Sequence, residues 1–124
     1  MARLARLAGV VVTLSISGAL LASCGAGDAT SDARRSCVYV KRAIALEARS
    51  QRPGLSASRR RGLQGTALSE LLKGTSSAAA ATSIDGSWNP LMTTINEAER
   101  VPLLDLEASL TRLCRIADSQ TPYL

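Results

Sequence analysis

Few kinds of side chain here can do chemistry. The 124-residue chain has no histidine, three cysteines (Cys24, Cys37, Cys114) and ten acidic residues against fifteen basic ones. Without imidazole there is no Ser-His-Asp or Cys-His relay, and no metal site of the kinds that need His. Carboxylates remain for acid–base work: Glu47, Glu70, Glu97, Glu99, Asp105 and Glu107. A hydrolytic pair needs two carboxyls facing each other across a cleft. Glu97 and Glu99 are two apart and point to different faces of a helix. Such residues ordinarily solvate a surface. Gly62-Leu63-Gln64-Gly65 has neither the spacing nor the preceding strand of a phosphate loop. The chain therefore reads as a non-enzymatic protein with no cofactor and no metal site.

The first cysteine closes a distinctive segment. Arg3 and Arg6 form a short basic start, and an apolar run follows from Leu7 to Leu21. That run is too short for a comfortable bilayer span, which takes about 20 residues. A basic start, a short apolar run and small residues at its end form a secretory signal. The run ends Leu21-Ala22-Ser23-Cys24, which resembles the lipobox of bacterial lipoproteins. The resemblance implies that the Cys24 thiol takes a diacylglyceryl group through a thioether. Cleavage between Ser23 and Cys24 then removes residues 1–23. It implies a protein held on the extracytoplasmic face of a cell membrane, in contact with lipid and within reach of envelope proteins. Gly25 to Ala33 is small and polar, which predicts a flexible tether over 24–33 reaching about 15–18 Å.

Residues 34–124 carry helical periods and little strand signal. Helix is predicted over roughly 34–52, with Ser31 or Asp32 as cap and Cys37, Val40, Ile44 and Ala48 as its apolar stripe. A second covers roughly 57–73, and a third starts at Asn89-Pro90, a cap followed by proline at the first helical position. The fourth repeats Leu103, Leu106, Leu110, Leu113 and Ala117 at steps of three and four. Residues 75–87 are ambiguous between helix and connection. Four amphipathic segments with short connections predict an all-α fold, a small antiparallel bundle.

If Cys24 carries lipid, Cys37 and Cys114 remain. Export favours an oxidised pair, and an up-down-up-down bundle brings the start of the first helix beside the end of the last. A bridge would close a loop of about 77 residues, worth on the order of 4 kcal/mol. Buried free thiols and a redox pair are the alternatives, although no Cys-x-x-Cys motif is present.

Charge is uneven. Residues 34–73 hold ten basic and two acidic side chains, and residues 74–124 hold three and six. Arg34, Arg35, Lys41, Arg42, Arg49 and Arg52 fall within about 120° of arc on one helix face. Arg59, Arg60 and Arg61 open the next helix, at the end where the dipole disfavours cations. The nine could contact an anionic surface; the plainer reading is a solvated face. Nucleic acid is a poor partner, because there is no Phe, one Trp and two Tyr for base stacking. The lone Trp88 has two readings: exposure at a ligand or partner site, or the core anchor of a Phe-free bundle. The stretch Asp85 to Ile95 resembles segments of small exported lipoproteins of actinobacteria, a likeness that implies no activity. A helical module binding a small ligand or lipid near Trp88 is the alternative to an accessory protein, and an envelope enzyme a remote one.

Overall fold

A computed structural model describes residues 26–120. The signal 1–23 and the residues Ser23 and Cys24 lie outside the described residues. The described chain is all-α: α1 (Ala26–Ser50), α2 (Ala57–Leu72), α3 (Thr75–Ile84), α4 (Asn89–Glu97) and α5 (Leu103–Ser119), with a 3-10 turn over Gly86–Trp88. None of these helices is long and apolar enough to cross a membrane.

The long helix α1 is the centre, packing against α2, α3 and α5. Its buried residues are Ala29, Thr30, Ala33, Ser36, Cys37, Val40, Ala43, Glu47 and Ser50. Apart from the adjacent pairs 29/30 and 36/37 they step by three and four, a seam made largely of small or polar side chains. The apolar stripe expected from the larger residues is therefore displaced. Ile44 is half-buried and Ala48 exposed, while Ser36, Ala43 and Glu47 face inward. Three neighbouring helices demand a wide buried arc, and small side chains let them approach.

Most of the expected tether is also helix. Ala33 and Ala29 continue the seam one and two turns ahead of Cys37 and are fully buried. Thr30 Oγ1 donates to Gln120 Oε1 at 2.9 Å, and Arg34 Nε donates to the Ala117 carbonyl at 2.8 Å. Packing against the end of α5 overrides the weak helix preference of Gly, Ser, Thr and Asp.

The turn after α1 holds Pro53 and Gly54, and Gly54 adopts φ +85°, where a Cβ would be strained. Ser56 caps α2, its side chain accepting from Arg59 N–H. Antiparallel to α1, α2 ends with Gly74 against Ser36, whose Oγ donates to the Gly74 carbonyl at 2.9 Å. The ambiguous stretch 75–87 becomes α3, with Ala78 and Ala81 buried, and then the 3-10 turn. That turn runs straight into α4, so Asn89 is already helical, at φ −52° and ψ −39°, rather than the cap. The capping falls to Asp85, whose carboxylate accepts from Ser87 N–H at 2.9 Å. In α5, Leu103, Leu110, Leu113, Cys114 and Ala117 are buried. It runs antiparallel to α1, and Cys37 and Cys114 form a disulfide with Cα atoms 5.5 Å apart.

Candidate functional site

The nine basic residues do not form one continuous face. Toward the N-terminal half of α1 they are engaged. Arg34 is tied to the Ala117 carbonyl, and Arg35 pairs with Asp32 at 3.1 Å. Lys41 Nζ donates to Asp118 Oδ2 at 2.6 Å, which crosses from α1 to α5. The Arg42 guanidinium lies over the Tyr39 ring, 5.8 Å from its centroid. Of these four, Arg34 and Lys41 tie α1 to α5, while Arg35 and Arg42 are engaged within α1 itself.

The other five gather at the far end. Arg49 and Arg52 end α1 and its turn, and Arg59, Arg60 and Arg61 begin α2. Arg49, Arg52 and Arg59 line one groove of about 420 Å³, together with Leu55, Gly62, Leu63 and Thr66. From Ala48 to Ser69 there is no acidic residue. The ion pairs among the described residues are Asp32–Arg35, Lys41–Asp118, Glu70–Lys73 and Glu97–Arg100, so none of the five arginines is matched there.

A second groove, of about 400 Å³, lies beside the first between α1, α2 and the α4–α5 connection. It is lined by Glu47, Gln64, Gly65, Leu68, Ala98, Pro102 and Leu103. Glu47 is only 4% exposed, which corrects the expectation that the carboxylates are surface solvating groups. Its Oε1 accepts from Gln51 Nε2 at 2.9 Å and from Ser50 Oγ at 3.3 Å. No basic side chain among the described residues pairs with it. Composition gave no warning of this burial; the signal was its place on the three–four seam of small residues, two steps after Val40.

The remaining carboxylates are dispersed. Glu70 and Glu97 are paired with Lys73 and Arg100 three residues on, while Glu99 and Asp105 are exposed. Asp85 is the one carboxyl held clearly below its usual range. The cause is first the Ser87 backbone N–H, then the Ser87 hydroxyl. Among the described residues no three acidic or cysteine side chains cluster as metal ligands would.

Trp88 is 3% exposed and belongs to the core, together with Leu91 and Ile95. Of its two readings the anchor is the one realised, and the exposed ligand contact is not. Comparison with protein-family models, with curated proteins and with solved structures gives no match.

Proposed function

We propose that the chain is a bacterial lipoprotein, exported, cut before Cys24 and held by lipid on the outer face of the cytoplasmic membrane. There it acts as a non-enzymatic accessory protein toward other envelope components. The observation that carries this is the signal ending in Leu21-Ala22-Ser23-Cys24. The Cys37–Cys114 bridge supports it in two ways. A bridge suits an oxidising compartment, and it leaves Cys24 as the third, unpaired cysteine.

The burial of Ala29 in the α1 seam leaves a shorter lead between Cys24 and the packed domain than a tether running to Ala33. The burial of Trp88 weighs against a ligand pocket at that residue.

The test is labelling of the expressed chain with an alkyne-bearing palmitate, wild type beside Cys24→Ala. Wild type takes the label and fractionates with membranes; the variant does neither. Equal labelling of both would overturn the anchor. Crosslinking in intact cells, again with the Cys24→Ala control, tests the accessory role. The partner must be captured only when the anchor is present.

A further inference from the structure

Five arginines and no acid crowd the α1–α2 turn, although the chain has carboxylates to spare elsewhere. Residues 74–124 carry an acidic excess and lie on α3, α4 and α5. Arg49 of α1, Arg52 of the following turn and Arg59 of α2 line one groove without a counter-charge among the described residues. Mutual repulsion opposes this arrangement. The first turn of α2 adds to it, because Arg59, Arg60 and Arg61 sit where the helix dipole favours acids. The helix forms in full regardless, from Ala57 to Leu72. Arg49, in the last turn of α1, sits where the dipole favours a cation; Arg59 does not, and a bound anion supplies the counter-charge that the groove lacks.

The chemistry of the groove narrows the anion. One guanidinium fork already satisfies the two oxygens of a carboxylate. Three arginines drawn from α1, its turn and α2 suit a group with three or four oxygens arranged tetrahedrally and more than one negative charge. Leu55 and Leu63, both half-buried, give the groove apolar walls that limit screening by water. We propose that this groove binds a phosphate group, borne by a soluble or polymeric envelope ligand, with Arg49, Arg52 and Arg59 as the donors. Arg49 lies about 30 Å along α1 from Ala29, at the other end of the helix. This inference rests on the accessory reading and supplies the chemistry of the partner.

The experiment is calorimetric titration of the full-length protein in neutral detergent with sodium tripolyphosphate, and separately with poly-L-glutamate. Two double variants each remove two charges: Arg52→Gln/Arg59→Gln at the groove, and Arg112→Gln/Arg115→Gln on α5. All four positions are exposed, and circular dichroism checks that both variants fold. Tripolyphosphate binds the wild type more tightly than polyglutamate does. The groove variant loses about 30-fold in affinity, and the α5 variant less than about threefold. Equal losses in the two variants would reduce the effect to net charge and overturn the site. Polyglutamate binding as well as tripolyphosphate would overturn phosphate in favour of an acidic protein. Absence of binding to either also overturns the proposal. A last arm uses phosphatidylglycerol vesicles. Vesicle binding abolished by the groove variant would assign the groove to bilayer head groups and overturn a ligand away from the membrane. None of these readings uses the lipid on Cys24, so failure here and failure of the anchor are separable.

Discussion

Cutting the Cys37–Cys114 bridge should remove a large share of the stability of this domain. The bridge spans a sequence separation of 77 residues. Closing a loop of that length in the unfolded chain corresponds to about 4.5 kcal/mol at 25 °C in the chain-entropy model. A domain of this size has roughly 5–14 kcal/mol in all. Cys37 is fully buried and Cys114 2% exposed, so Cys37→Ala/Cys114→Ala also gives up some packing. What still holds α5 to α1 is Val40 against the α5 seam and the links Thr30–Gln120, Arg34–Ala117 and Lys41–Asp118. The assay is urea unfolding followed by Trp88 fluorescence and by helical circular dichroism. The oxidised protein, the reduced protein and the double variant are compared. The midpoint should fall by about 3 M for an m-value near 1.5 kcal/mol/M, and the melting temperature by about 20–35 °C. The reduced protein should follow the variant. A loss below about 1 kcal/mol in both would refute the loop-closure reasoning. So would alkylatable thiols at Cys37 and Cys114 in the untreated protein, since the bridge would then be absent.

Three further outcomes follow from particular contacts. A Cβ on Gly74 would lie 2.9 Å from Ser36 Oγ, 3.1 Å from the Ser36 carbonyl and 3.2 Å from the Leu71 carbonyl. Gly74→Ala should therefore cost about 1–3 kcal/mol in thermal or urea unfolding. The cost should shrink in a Ser36→Ala background, and an equal cost in both would clear Ser36 Oγ of blame. Glu47 is buried without a basic partner, and Gln51 Nε2 keeps a bond to Ser50 Oγ if the carboxylate goes. Glu47→Leu should be neutral or stabilising by about 1 kcal/mol, and a loss of more than that would show that the carboxylate's hydrogen bonds outweigh its desolvation. The lowered pKa of Asp85 sets a sign with pH. A depressed carboxyl stabilises the fold above its ordinary value of 3.8 and loses that contribution as pH falls through the lowered value. The stability difference between wild type and Asp85→Asn should be constant from pH 5 to 7 and shift against the wild type below about pH 3.5; a difference independent of pH down to full acid unfolding would count against the cap.

The parts of the fold legible in the sequence are those carried by large apolar side chains. Leu103, Leu106, Leu110, Leu113 and Ala117 announce α5 by spacing alone; Leu106 is half-buried and the other four are buried. The compartment and the number of cysteines were enough to favour the bridge. The parts that were not legible are carried by small residues. Ala29, Ala33, Ser36 and Ala43 have no hydropathic weight, yet they are the seam on which three helices meet α1. Read by hydrophobicity, that helix starts too late and its stripe is rotated, with Cys37 and Val40 inside it and Ala48 exposed; read by which positions admit a close neighbour, the seam is in place. The same bias hid Glu47, a charge placed where the seam continues. Asn89-Pro90 misled for a different reason. A cap-like dipeptide marks a helix start only if the chain ahead of it is not already turning, and the 3-10 turn from Asp85 is.

The candidate site was legible as composition but not as geometry. Spacing places Arg34, Arg35, Lys41, Arg42, Arg49 and Arg52 on one face, and an ideal helix cannot say which of them find partners on another element. Tertiary packing divides them. Asp118 and the Ala117 carbonyl lie at the end of α5, beside the first half of α1, and take up Lys41 and Arg34. The second half of α1 runs beside α2, which brings more arginine and no acid until Glu70. The uneven charge noted along the sequence thus becomes a sharper unevenness in space. Read locally, Arg59, Arg60 and Arg61 are simply poor residues for a helix start. Folded, Arg59 shares a groove with Arg49 and Arg52 across a turn that holds Pro53, Gly54 and the Ser56 cap. A local preference broken three times running, in a helix that forms nonetheless and on the border of a groove, is the pattern of a site whose stability is completed by something it binds.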